Sequence, residues 1–178
     1  MSQPELVPIK QHLPRAIFDI RYDTENNITG KNLYNGQNEP RLHPDTLAKV
    51  IKAERIFSSK GLLLVIFDVY RTPEAHQALM EACPDPTLVN PNSGHLDGVS
   101  FDGGLAHKET GEPVDFGTGF DDMSMRSHVE SAGVHRSARD YRLLNTSVWT
   151  SVGMVQYDRE WWHQDDLETR AKIEAQQM

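Results

Sequence analysis

The sequence contains a single cysteine, Cys83, and this scarcity restricts the chemistry open to the protein. One cysteine cannot form an intrachain disulfide, and it excludes a zinc site built from several thiolates. Any bound metal must therefore be held by histidine and carboxylate side chains. Cys83 could act as a nucleophile, but it precedes Pro84 where a predicted helix ends, and we favour an inert, partly buried thiol.

Long apolar runs and an excess of positive charge are also missing. No window approaches the ~18 consecutive apolar residues of a membrane span, and residues 1–15 lack the apolar segment of a secretion signal. The formal net charge of −8 disfavours nucleic-acid binding, which requires a basic surface. These absences predict a cytoplasmic protein with no membrane and no nucleic acid as partner, and they leave its oligomeric state open.

Four segments have the pattern of β-strands. Residues 62–69 are almost entirely apolar and predict a strand that is buried on both faces. Shorter strands are predicted over residues 17–22, 99–107 and 154–157. The long connection at residues 84–98 is rich in proline, asparagine, glycine and serine, a feature of functional loops.

Three helices are predicted between these strands. The first starts near Pro44 and stops before Gly61, the second starts at Thr72, and the third covers residues 141–152 and ends at Gly153. The charged residues 165–178 form either a frayed helix or a mobile tail. We therefore predict one α+β domain over residues 1–178, in which helices flank a small, mostly antiparallel sheet.

The tetrapeptide Glu160-Trp161-Trp162-His163 is the first sign of a functional site. It places a potential base, Glu160, three residues before a potential metal ligand, His163. The two tryptophans between them either line a pocket or belong to the core. Glu160 and His163 would point to opposite faces of a straight strand. We therefore expect the segment to bend where its strand leaves the sheet.

A second segment could complete a metal site. His95 and Asp102 lie on either side of Gly98, where a turn could bring both side chains to His163. Two imidazoles and one carboxylate leave a fourth position open, as in catalytic zinc sites. A water molecule at that position has a pKa near ~7, and Glu160 could take its proton. Each residue alone also fits a simpler explanation, such as a loop histidine or a turn carboxylate bonded to the backbone.

Arg71 follows the most apolar strand and has two explanations of about equal weight. It could hold a substrate carboxylate or an oxyanion, or it could be a surface arginine that caps a turn. The sequence has no His-Glu-x-x-His motif, which excludes the metalloprotease class built on a zinc-binding helix.

Together these segments resemble the VanX-type D-alanyl-D-alanine dipeptidases, zinc enzymes of the D-Ala-D-Ala metallopeptidase family. The family's Ser-x-His-x-x-Gly-x-x-x-Asp pattern is matched by residues 93–102, and its Glu-x-Trp-His pattern by residues 160–163. Residues 22–34, 70–73, 115–121 and 142–144 are also similar to family segments. The resemblance implies one zinc per chain, in a cleft of the sheet, with the ligands His95, Asp102 and His163.

The resemblance also implies a role for four other residues. Glu160 would be the general base and later the acid, Arg71 would stabilise the oxyanion, Asp121 would pair with the substrate's amino group, and Ser93 would help to hold the substrate. The implied reaction is hydrolysis of the dipeptide D-alanyl-D-alanine to two D-alanines, in cell-wall metabolism or glycopeptide resistance. Alternatives are a D,D-carboxypeptidase or cell-wall endopeptidase acting on longer peptides, or a non-catalytic zinc-binding module.

Several positions depart from the family pattern. Ser100 stands where alanine is usual, Gly103 and Gly104 replace β-forming residues after the aspartate, and Gln164 replaces an aromatic residue after the final histidine. No proposed ligand is lost. The departures bear on pocket shape, substrate preference and efficiency.

Overall fold

The structure is a computed structural model that describes residues 5–177. The first four residues of the N-terminal segment 1–15, and Met178 at the end of the predicted tail, lie outside this range. Within it the strands are β1 (Val7–Pro8), β2 (Ile17–Phe18), β3 (Arg41–Leu42), β4 (Leu62–Asp68), β5 (Ser100–His107), β6 (Val155–Gln156) and β7 (His163–Asp165). The α-helices are α1 (Pro44–Ser59), α2 (Pro73–Ala82), α3 (Arg136–Ser151) and α4 (Leu167–Gln177).

Five of these strands form the main sheet, in the order β2-β4-β5-β7-β6. Only β2 and β4 run parallel, and the remaining pairs in this sheet are antiparallel. Strands β1 and β3 form a separate antiparallel pair. The predicted α+β fold with a mostly antiparallel sheet is confirmed.

The apolar strand β4 lies inside the sheet between β2 and β5, as its composition predicts. Helix α1 packs against it through a buried stripe that includes Val50 and Phe57. Trp149 of α3 joins this core: its ring centre lies 6.0 Å from that of Phe57 and 4.8 Å from that of Phe101 on β5. The helices thus cover one face of the β4–β5 region.

The predicted helices are all present, and the C-terminal segment forms a fourth. Helix α2 begins after Thr72, whose hydroxyl accepts a hydrogen bond from the Ala75 amide at 3.3 Å, the expected N-cap. Of the two alternatives for residues 165–178, the structure has the helix, because Asp166 accepts a hydrogen bond from the Thr169 amide at 3.0 Å and pairs with Lys49 at 2.7 Å.

Two predicted strands are shorter than expected. The strand predicted over residues 17–22 ends at Phe18, because a 3-10 turn forms at Arg21–Asp23. The strand predicted over residues 154–157 is reduced to Val155–Gln156. In the part of the chain that the structure describes, no helix is long and apolar enough to cross a membrane.

Candidate metal centre and active site

The pairing of β5 with β7 brings two predicted ligands together. Asp102 and His163 are direct cross-strand partners, so their side chains leave the sheet on one face at adjacent positions. His95 comes from the 3-10 helix Gly94–Asp97, which ends at Gly98. The φ of Gly98 is +67°, a region that favours glycine. The turn expected at Gly98 is confirmed.

The three side chains converge within metal-binding distances. Nδ1 of His163 lies 2.8 Å from Oδ1 of Asp102 and 3.3 Å from Nε2 of His95, and that Nε2 lies 3.3 Å from Oδ2 of Asp102. A tetrahedral zinc with bonds of about 2.0–2.2 Å holds its ligand atoms about 3.3 Å apart. Nδ1 of His95 donates to the Val69 carbonyl at 2.5 Å, which leaves Nε2 as its ligand atom. His95, Asp102 and His163 could therefore hold a metal ion together.

Opposite charges meet within this group. Burial alone would raise the pKa of Asp102, but His95 and His163 outweigh it and hold that pKa well below its usual range. Burial alone would lower the pKa of His163, but Asp165 and Asp102 raise it well above its ordinary value. In the metal-free protein an ionised Asp102 therefore lies against a protonated His163. An arriving cation would replace the proton on His163.

Glu160 is buried beside these ligands. The His163 amide donates to the Glu160 carbonyl at 3.2 Å, which closes a turn, and β7 starts at His163. The segment therefore bends as predicted, but where a strand enters the sheet rather than where one leaves it. Among residues 5–177, Oε1 of Glu160 has no hydrogen-bond partner. Burial raises the pKa of this carboxyl to about 8, although His163 acts in the opposite direction.

Arg71 is fixed next to the ligands. It is 5% exposed, so the alternative of a surface arginine is wrong. Its Nη2 lies 2.7 Å from Oδ2 of Asp68 and 3.7 Å from Oδ2 of Asp102. Its Nη1 lies 3.2 Å from Nδ1 of His76. Burial and Arg71 lower the pKa of His76 to about 4, so the imidazole is neutral and accepts this hydrogen bond.

Asp121 and Ser93 line the same cleft as the ligands. Asp121 accepts hydrogen bonds from the Tyr22 hydroxyl at 3.1 Å and from the Ile28 amide at 3.0 Å. Burial raises the pKa of Asp121 to about 6. The Ser93 hydroxyl accepts from the His95 amide at 3.3 Å and so caps the helix that carries this ligand.

The cleft has a volume of about 540 Å³, within the range of ligand sites. Trp162 lines it, whereas Trp161 stacks on Phe116 in the core with ring centres 4.1 Å apart. One wall is the long connection predicted at residues 84–98, whose Thr87 hydroxyl accepts a hydrogen bond from Arg159 at 2.8 Å. Only one of the two tryptophans therefore contacts the cleft.

Residues 2–177 match peptidase family M15, described as D-ala-D-ala dipeptidase. The chain belongs to this family. A D-alanyl-D-alanine dipeptidase of Escherichia coli (strain K12) is 38% identical over 162 residues, which cover 89% of this chain and 83% of that protein. One of Enterococcus faecium is 29% identical over 168 residues, 82% of this chain and 83% of that protein.

A more distant likeness exists among solved structures. A mutant of the vancomycin resistance D,D-pentapeptidase VanY, crystallised in complex with Zn(II), aligns with a TM-score of 0.48 and 15% identity. The alignment covers 80% of this chain and 83% of that one.

Three residues that contact the predicted site residues are not themselves among the predicted ones. Asp68 and His76 hold Arg71, and Oδ1 of Asp165 lies 3.1 Å from Nε2 of His163. Two of them had a signal in the sequence: Asp68 interrupts an apolar strand, and Asp165 has the same strand parity as His163. His76 had none, because its contact with Arg71 depends on the direction in which the first turn of α2 leaves β4.

Two residues predicted to depart from the family pattern, Gly103 and Gln164, lie in close-packed surroundings. A Cβ atom at Gly103 would lie 2.4 Å from the Phe101 ring and 2.5 Å from the Val65 carbonyl oxygen. Only glycine fits there. The side chain of Gln164 is buried, and its amide donates to Oε1 of Gln156 at 2.9 Å, linking β7 to β6. The amide nitrogen of Gln164 is therefore satisfied, whereas its buried Oε1 has no hydrogen-bond partner among residues 5–177.

Proposed function

We propose that the protein is a zinc-dependent dipeptidase that hydrolyses D-alanyl-D-alanine to two D-alanines. The observation that carries this proposal is the convergence of His95, Asp102 and His163 next to a buried Glu160 whose Oε1 has no partner within residues 5–177. Membership of the M15 family and the activity named for its relatives support the substrate.

The donor set fits zinc. The ligand atoms would be Nε2 of His95, Nδ1 of His163 and a carboxylate oxygen of Asp102, and two imidazoles with one carboxylate are typical of catalytic zinc. When bound, zinc lowers the pKa of a coordinated water and polarises a carbonyl group. We propose one ion per chain, because residues 5–177 contain a single such group of three ligands.

Glu160 has the role of proton carrier. It would take a proton from the attacking water and pass it to the nitrogen of the leaving D-alanine. Burial raises the pKa of this carboxyl group to about 8 in the metal-free protein, which is close to neutral pH. A nearby cation lowers that pKa and favours the base form.

Arg71 would stabilise the negative charge that develops on the peptide oxygen. Asp68 and His76 hold the guanidinium at fixed points, so it needs little reorganisation during the reaction. The guanidinium carbon also lies 5.1 Å from the centre of the Tyr22 ring. A preorganised donor of this kind is more effective than a mobile surface arginine.

Asp121 would bind the free amino group of the dipeptide, and Ser93 would help to hold the substrate near His95. A buried ammonium group requires a carboxylate partner, and Asp121 is ionised above its pKa of about 6. This pairing predicts a preference for dipeptides over peptides with a blocked or extended N-terminus. The cytoplasmic location and the role in cell-wall metabolism or resistance stay predictions.

The decisive assay measures D-alanine released from D-alanyl-D-alanine by the purified protein, with chelator and after zinc is restored. We expect release that chelator abolishes and zinc recovers. Glu160→Gln should lower kcat by about 10²–10⁴-fold while zinc still binds. No release by the zinc-loaded wild type would refute the proposal.

A blocked substrate separates the dipeptidase from the alternatives. N-acetyl-D-alanyl-D-alanine lacks the ammonium group that Asp121 would bind, so it should be cleaved much more slowly than the free dipeptide. Equal rates on both substrates would favour a carboxypeptidase or endopeptidase that acts on longer peptides. Zinc binding without cleavage of either substrate would favour the non-catalytic module.

A further inference from the structure

A second pair of residues lies beside the metal ligands on the same face of the sheet. In the β5–β7 ladder, Ser100 is opposite Asp165, and two residues further along Asp102 is opposite His163. Side chains two residues apart on a strand share a face. The four side chains therefore form a continuous row that ends at the predicted metal position.

Hydrogen bonds connect this row. The Ser100 hydroxyl donates to Oδ1 of Asp165 at 2.5 Å, and the same oxygen lies 3.1 Å from Nε2 of His163. Nδ1 of His163, the other ring nitrogen, faces Asp102 and His95. Asp165 thus contacts the one imidazole nitrogen that points away from the metal ligands.

We propose that Asp165, oriented by Ser100, is a positioning residue for His163. Asp165 accepts a hydrogen bond from Nε2–H of His163 and so leaves Nδ1 of His163 free to bind the metal. The inference rests on the zinc site of the proposed function. A neutral imidazole carries one proton on either nitrogen, and a carboxylate at Nε2 selects the tautomer whose Nδ1 lone pair faces the ion. The same contact makes His163 a more basic ligand.

The Ser100 hydroxyl fits into this row because a glycine packs against it. Ser100 is fully buried, and a Cβ atom at Gly94 would lie 2.3 Å from its hydroxyl oxygen. Gly94 therefore leaves the space that the hydroxyl occupies. The hydroxyl in this space supplies the hydrogen bond that orients Asp165.

The simpler explanation is that Ser100 and Asp165 only strengthen the sheet as a cross-strand pair. The two explanations differ in their effect on the metal. A structural pair would change the free energy of unfolding and leave zinc affinity alone. A positioning pair changes the zinc dissociation constant of the folded protein.

The test measures zinc affinity by competition with a chromophoric chelator, in variants whose folding is checked by thermal unfolding. We expect Asp165→Ala to weaken zinc binding by about 10–100-fold. Asp165→Asn, whose amide oxygen still accepts from Nε2, should weaken it less. Ser100→Ala should weaken it slightly, and this effect should vanish when Asp165→Ala is also present. Asp140→Ala, which removes a charge from the exposed face of α3, is the matched control.

Proton NMR of the zinc-loaded protein gives a second readout. Two imidazole N–H protons of the metal ligands should be protected from exchange: Nδ1–H of His95, bonded to the Val69 carbonyl, and Nε2–H of His163. The Nε2–H of the buried His76, bonded to the Asn90 carbonyl, gives a third protected signal that serves as an internal reference. Asp165→Ala should remove the second and keep the first. Retention of both signals, or wild-type zinc affinity in Asp165→Ala, would overturn the inference.

The outcome is separable from that of the proposed function. If the wild type releases D-alanine but Asp165→Ala binds zinc normally, the positioning role is wrong and the dipeptidase proposal stands. If the wild type binds zinc and releases no D-alanine, the dipeptidase proposal fails, and weaker zinc binding by Asp165→Ala still supports the positioning role.

Discussion

Zinc binding to the metal-free protein should release at least one proton at pH 7, and its source is His163. Nδ1 of His163 lies 2.8 Å from Oδ1 of Asp102, and Nε2 lies 3.1 Å from Oδ1 of Asp165. Although burial opposes it, His163 lowers the pKa of Asp165 to about 2, and Asp102 is ionised as well. Ionised carboxylates only accept hydrogen bonds. Both nitrogens of His163 therefore carry protons, and zinc must displace the one on Nδ1.

The size of the effect follows from counting protons. Below the raised pKa of His163, displacing one proton lowers the apparent zinc affinity about tenfold for each unit that the pH falls, or about 1.4 kcal/mol. Glu160 adds to the count, because a carboxyl group with a pKa of about 8 is roughly nine-tenths protonated at pH 7. Zinc lowers that pKa and releases part of this proton too.

Isothermal titration calorimetry at pH 7, in buffers of different ionisation enthalpy, measures the number of protons released. We expect between one and two for the wild type and about one for Glu160→Gln, whose amide does not titrate. Asp140→Ala should match the wild type. No proton release by the wild type would mean that His163 is neutral before zinc arrives, and would refute the argument.

Three further predictions concern other parts of the molecule. Arg71→Lys should lower kcat about 10²–10³-fold in steady-state assays with little change in zinc affinity, because one ammonium group cannot replace the guanidinium fork; unchanged kcat would contradict the oxyanion role. Gly103→Ala should lower the free energy of unfolding by about 1–3 kcal/mol in denaturant titrations, because its Cβ meets the Val65 carbonyl. Gly119→Ala, with open space around its Cβ, is the control and should cost less. Burial alone would raise the pKa of Asp166, but hydrogen bonds from Lys49 and Thr169 lower it below its ordinary value. Its stabilisation is therefore present above the unfolded-state pKa of ~3.9 and lost as the pH falls through the lower folded-state value. Asp166→Asn should flatten this acid-induced loss in circular dichroism measurements; an unchanged pH profile would contradict it.

The elements predicted correctly are those with local causes. Strand β4 follows from an unbroken apolar run, α2 from the cap at Thr72, and the turn before β5 from Gly98, whose positive φ few other residues adopt. The metal ligands could also be predicted, because their residue types and spacing match a family pattern. In each case the information lies within a few neighbouring residues.

What could not be predicted depends on contacts between distant segments. The helix over the last residues is docked by Asp166, which pairs with Lys49 on α1, 117 positions away in the chain. Arg71 contacts Asp102 and the Tyr22 ring, which lie 31 and 49 positions away in the chain. Periodicity and capping contain no information about such pairings, so the sequence alone left the tail and Arg71 with two explanations each.

The register of β5 against β7 connects the packing of the hydrophobic core to the position of the metal ligands. The side chains of residues 100, 102, 163 and 165 lie on the face of the sheet that carries the cleft, and Phe101 and Gln164 between them are paired and buried. Phe101 packs 4.8 Å from the Trp149 ring. Because side chains alternate along a strand, a slip of one residue would turn Phe101 into the cleft and Asp102 into the core. Burial of Phe101 opposes that slip whether or not a metal is bound. Hydrophobic packing therefore sets Asp102 opposite His163 before any ion arrives, and the ion binds a site that the core has already aligned.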